Sequence, residues 1–98
     1  MSKFFVRVEL NGPPQSDVYE DLHSALSRNG FERIVHGRSG RRWMLPNASY
    51  IGRYATDDAE VARDAITRIV DLVWDDCEIF VCNYDNAAWI GLTPLTDS

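Results

Sequence analysis

The chain has 98 residues and a formal net charge of −5, enough for one domain and too few for two. Hydrophobic residues make up 45% and charged residues 26%, a globular composition that excludes a disordered chain. Two cysteines are too few for a disulfide scaffold, and no apolar run approaches the ~20 residues that a membrane span needs.

The first residues, Met1-Ser2-Lys3-Phe4-Phe5, hold no long apolar segment with a small-residue cleavage site. The expectation is therefore a cytoplasmic protein without membrane contact. From Lys3 to Leu10 the residues alternate, with Phe4, Val6, Val8 and Leu10 on one face and Lys3, Phe5, Arg7 and Glu9 on the other. A period of two in aromatic and β-branched residues reads as a strand. Asn11-Gly12-Pro13-Pro14 ends it, because proline cannot donate to a ladder. Ser16 reads as an N-cap, with Asp17 and Glu20 where the helix dipole favours acids. Val18, Leu22, Ala25 and Leu26 recur at helical spacing with Tyr19 at the edge, and Asn29-Gly30 stops the helix through a left-handed residue.

Phe31 to His36 reads as a short strand, Gly37-Arg38-Ser39-Gly40 as a turn, and Arg41 to Leu45 as the return of a hairpin. Pro46-Asn47 breaks it, and Ser49 to Tyr54 is a further strand. Thr56 or Asp57 caps a second helix, with Glu60 at capping-box spacing from Asp57. Its stripe is Val61, Ala62, Ala65, Ile66, Ile69, Val70 and Val73. Glu78 to Cys82 is the last strand of the core. There Cys77 and Cys82 face opposite ways and could not easily pair. Residues 84–98 form a tail with the apolar run Trp89 to Leu95, too short for a core of its own.

The order is βαββαβ. It predicts an α+β, ferredoxin-like domain over residues 1–83, a four-stranded antiparallel sheet with two helices of about 13 and 17 residues on one face. Right-handed crossovers place the first and third strands centrally. The opposite face carries Phe5 and Arg7 and needs a cover, which a second copy of the chain or the tail could supply. A homodimer is the default expectation.

Charge is uneven. Between positions 28 and 53 lie Arg28, Arg33, Arg38, Arg41, Arg42 and Arg53 against one acid, Glu32, for a net +5; the remainder carries −10. An acidic whole argues against nonspecific coating of nucleic acid, but a local basic window can receive an anionic ligand. The competing reading is a solvated arginine-rich loop.

No phosphate-cradling GxxxxGK[ST], GxGxxG, HExxH, GxSxG or paired CxxC occurs, and the two cysteines with His23 and His36 make no zinc spacing. Neither a metal nor another cofactor is expected. Metal-free RNA cleavage needs a base for the 2′-hydroxyl, an acid for the leaving oxygen and cations for the phosphate. His23 and His36 are the acid–base candidates and Arg42 the phosphate stabiliser. A structural role for a lone histidine at a helix margin is the alternative. Trp43 after Arg41-Arg42 suits a single-strand platform in which the ring stacks and the cations hold phosphates, alongside Arg33 and Arg38. A core or subunit-seam position is the alternative for Trp43. Among the acids, Glu9 ends the first strand where ferredoxin-like CRISPR nucleases place a metal-binding acid, by analogy of fold alone. Asp75-Asp76 has no evident third ligand.

Residues 18–50 resemble the GhoS endoribonuclease antitoxin family of type V toxin–antitoxin systems. The likeness lies in Leu22-His23-Ser24-Ala25-Leu26, in Phe31, Ile34 and Val35, in Gly40 and Leu45, and in Ser49-Tyr50. The resemblance implies a ferredoxin-like fold related to CRISPR-associated nucleases. It also implies cleavage of the messenger RNA of a small membrane-acting toxin. The family has an arginine where this chain has His23, which keeps acid–base capacity but loses the guanidinium fork. Its acidic position at the end of the first strand is matched by Glu9 only with a one-residue offset. A catalytically silent dimeric module that binds RNA or a protein through the same hairpin is the competing expectation.

Overall fold

The first strand, β1 (Ser2–Leu10), forms because its two residue sets can be sorted to two faces. Phe4, Val6, Val8 and Leu10 are buried, and Arg7 and Glu9 stay exposed. Each such buried side chain contributes about 1.5–3 kcal/mol of apolar transfer energy. The computed structural model describes residues 2–12 and 14–95. Met1, Pro13 of the expected strand break and residues 96–98 of the expected tail lie outside the described residues.

Helix α1 (Ser16–Arg28) begins one residue earlier than expected: Ser16 is its first residue, and Gln15 stands at the N-cap without a side-chain hydrogen bond. The helix ends as its Asn29-Gly30 pair predicts. Gly30 has φ 86°, its N–H donates to Ser27 O, and Phe31 N–H donates to Leu26 O at 2.9 Å. This double closure is a Schellman motif, and it drops Phe31 into the core beside Leu26. Phe31 therefore belongs to the helix stop, and the strand expected over Phe31–His36 shortens to β2 (Ile34–His36).

β3 (Arg42–Met44) pairs with β2 in antiparallel register, Ile34 opposite Met44 and His36 opposite Arg42. Their turn carries Gly40 at φ 83°. Gly40 N–H donates to Gly37 O and Gly37 N–H to Arg41 O, the three-residue loop with a left-handed third position. β4 (Ser49–Tyr54) follows, then helix α2 (Ala59–Asp71), β5 (Cys77–Tyr84) and β6 (Thr93–Pro94). The N-cap of α2 is Asp58, which accepts from Glu60 N–H at 2.8 Å, and not Thr56 or Asp57. Thr56 instead accepts from Asp58 N–H, and Asp57 accepts from the Ser2 hydroxyl. Asp58 thus satisfies one orphan donor, and α2 runs 13 residues, fewer than expected. Within the expected stripe Ala62, Ile66 and Val70 are fully buried, while Val61 is 46% exposed.

The single four-stranded sheet does not form. There are two antiparallel three-stranded sheets, ordered β4-β1-β5 and β2-β3-β6. The split falls at residues 32 and 33. Glu32 makes both bridge hydrogen bonds to Ile51 of β4, each 2.8 Å, and the Arg33 carbonyl, on the opposite edge of the segment, accepts from Leu45 N–H. Pairing with β4 stops at that one bridge, and Ile34 to His36 pair with β3. β1 is central as expected, whereas β4 has β1 on one side and the Glu32 bridge on the other. Both helices contribute to one core against β1. The tail partly covers the open face: residues 86–92 pass Phe5, Ile51 and Tyr84, and β6 extends the small sheet. Cys77 faces the core opposite Leu10 and Cys82 faces the open side opposite Phe5, both as free thiols.

Candidate functional site

Strand register decides which charges meet. Lys3 on β1 lies between Arg53 on β4 and Tyr84 on β5, all on the face away from the helices. His36 lies opposite Arg42 across the β2–β3 pair, and Arg38 stands in the hairpin turn. These residues line one open cleft of about 950 Å³ between the small sheet, β4 and residues 84–89. Glu32 and Asp85 are its acids and Trp89 its aromatic wall. Glu32 is engaged by the Ser27 hydroxyl at 2.7 Å. Lys3 Nζ donates to Asp85 O at 2.9 Å and sits 5.4 Å from the Tyr84 ring centre, so it also pins the start of the tail. Burial pushes the Tyr84 hydroxyl pKa up, against the pull of Arg53, so it remains a neutral donor.

The hairpin carries an aromatic platform beside the cleft. Arg41 lies 5.1 Å from the Trp43 ring centre, a cation–π contact. Trp43 is half-buried and Arg41 exposed. Ion pairs Arg7–Glu9 and Arg63–Asp64 both lie outside the basic window.

The expected trio of His23, His36 and Arg42 is not brought together. His36 and Arg42 are cross-strand neighbours, but His23 is on α1, against the helix-facing side of the sheet. Its Nδ1 shares a 2.6 Å hydrogen bond with the Tyr50 hydroxyl, and Tyr50 is fully buried opposite Val6. Burial lowers the His23 pKa, Arg33 lowers it further and Glu20 opposes them. Burial pushes the Tyr50 hydroxyl up to about 12, so the phenol keeps its proton beside the ring. His23 is half-buried and held by that bond.

Arg33 is also away from the cleft. With His23, Ser24, Ser27, Arg28 and Met44 it lines a separate hollow of about 460 Å³. Its Nε is buried without a hydrogen-bond partner among the described residues. Of the expected contacts Arg33, Arg38, Arg41, Arg42 and Trp43, the cleft is lined by Arg38 and Arg42, Arg41 and Trp43 pair with each other on the same hairpin, and Arg33 lies elsewhere. Lys3, Arg53 and Trp89 were not singled out by sequence as site residues. The alternation of β1 places Lys3 on the open face, but only the register shows Arg53 beside it.

Glu9 pairs with Arg7 at 3.4 Å at the far end of β1, and Asp76 accepts from the Asn11 amide. Among the described residues no group of three His, Cys, Asp or Glu could hold a metal ion, and no helix is long and apolar enough to cross a membrane. No family model matches the chain, and no curated protein matches it.

Proposed function

We propose that the cleft binds single-stranded RNA and that the chain acts there as an endoribonuclease resembling a type V antitoxin. The observation that supports this is the gathering of Lys3, Arg38, Arg42 and Arg53 with His36 in one open cleft, on a chain of net charge −5. Such a field draws a polyanion to one place and repels it elsewhere. Arg38, Arg42 and Arg53 hold phosphate oxygens, and Trp89 and the Arg41–Trp43 pair offer stacking surfaces to unpaired bases. His36 is the acid–base group, with Arg42 across the strand pair stabilising the crowded phosphate. The scaffold reads as a ferredoxin-like variant: counting the Glu32 bridge, the strand order is β5-β1-β4 followed by the Glu32 segment.

A second reading, an RNA-binding module without catalysis, is favoured by one observation. The second histidine lies across the sheet, bonded to Tyr50, so no paired-histidine acid and base is assembled. Labelled single-stranded RNA separates the two. Binding should weaken with salt along a log–log slope of about −2 to −3, as expected for three or four phosphate contacts on a single strand. Arg42→Ala should reduce that slope by about 0.7. Cutting that persists with EDTA and vanishes in His36→Ala supports the enzyme. Binding without cutting leaves the module. Binding insensitive to salt and to Arg42→Ala removes both.

A further inference from the structure

The outer edge of β5 is bare. β5 runs eight residues, Cys77 to Tyr84, and pairs with β1 alone at the margin of its sheet. Among the described residues no backbone hydrogen bond reaches it from outside. Natural edge strands are protected by brevity, proline, lysine, bulges or a covering segment. This one is long and bears Ile79, Phe80, Val81 and Tyr84, with Glu78 as its single charge. The tail leaves after Tyr84 and crosses toward β3, away from that edge. Phe80 stands on the face away from the helices, opposite Arg7, and is 62% exposed.

We propose that a second copy of this chain occupies the edge, with the two β5 strands pairing antiparallel about a two-fold axis at Phe80. The strand is complementary to itself in that register. Phe80 meets its own counterpart, Ile79 meets Val81, and Glu78 meets Cys82, so no like charges are opposed. Phe80 then gains an aromatic partner on the open face. On the helix-facing side Ile79 and Val81, which are half-buried, lose their remaining contact with water. The two sheets become one of six strands. A register shifted by two residues would set Phe80 against Glu78 or Cys82, with a large ring facing a charge or a small thiol. The basic cleft is lined by β4, the hairpin and residues 84–89, and of β5 it takes only the last residue, Tyr84, away from the axis at Phe80.

The test is the oligomeric state of the full chain by light scattering, with a cross-link to read the register. The wild type should be a dimer, and Phe80→Lys, which opposes two cations on the axis, should weaken association at least about tenfold. Phe80 is exposed, so that variant should keep its fold, checked by an unchanged thermal midpoint at low concentration. In a Cys77→Ser, Cys82→Ser background, Phe80→Cys should oxidise readily to a covalent dimer, because directly opposed residues stand about 4.5–5.5 Å apart at Cβ. Arg63→Cys in the same background, on the exposed side of α2, should not. A monomeric wild type at NMR concentrations overturns the proposal. So does a dimer that Phe80→Lys leaves intact and Phe80→Cys does not cross-link.

Discussion

Gly52 shows how one residue holds β4 against the helix stop. A Cβ there would lie 2.5 Å from Gly30 O and 2.6 Å from Phe31 Cδ1. The first neighbour is backbone inside a Schellman closure and cannot swing aside. Gly52→Ala should therefore cost about 1–3 kcal/mol or more, read as a lower urea midpoint with an unchanged m-value. His23 carries a pH dependence of definite sign. Its folded pKa is lowered from the ordinary 6.5, so on acidification the unfolded chain takes up this proton first. Stability from this group is fully present above 6.5 and is lost as the pH falls through that value, levelling off below the folded pKa. Urea midpoints at about pH 7.5 and about pH 5.5 should differ in that direction, and His23→Gln should shrink the difference. No change in His23→Gln would mean that the ring is not the titrating group.

At the scale of elements, the two sheets differ in what sustains them. β1, β4 and β5 share long registers over a core built with both helices. β2 and β3 have three residues each, and strands so short need a third partner or a packed face. β6 provides one: Thr93 and Pro94 pair with β3, and Leu95 N–H donates to Arg42 O at 3.0 Å. Truncation after Asp85 should loosen the hairpin, remove the Trp89 wall and weaken the RNA binding proposed for the cleft. The helices, packed with β1 in the core, should keep their circular dichroism and cooperative melt. Amide exchange reads this directly. Leu45 N–H, bonded to Arg33 O, should lose protection on truncation, whereas the amides of Val6 and Val8 should not. Equal loss at both places would show that the small sheet and the core unfold as one unit.

Across the whole molecule, charge and topology act together. The window with net +5 stands in a chain whose remainder carries −10, and the fold brings Arg38, Arg42 and Arg53 of that window to one cleft. The alternation of Phe4, Val6, Val8 and Leu10 was sufficient to place β1, because a period of two sends those residues to one buried face. Asn29-Gly30 was sufficient to stop α1, because few residues accept the left-handed closure. The opposed faces of Cys77 and Cys82 followed from the same parity. These are local matters, decided within a few bonds of each residue. The fate of the segment after Phe31 was not local. The segment keeps one bridge to β4, at Glu32, and then pairs within a hairpin whose third strand, Thr93 and Pro94, lies far along the chain. The two histidines look alike in sequence, yet the sheet separates them, because Tyr50 claims one from the helix side while the hairpin carries the other outward. The sequence by itself determined the helices, the central strand and the existence of a basic segment, through periodicity and turn chemistry. Only the tertiary structure decided the split into two sheets and the company each charge keeps, because both depend on which residues distant in sequence come to lie side by side.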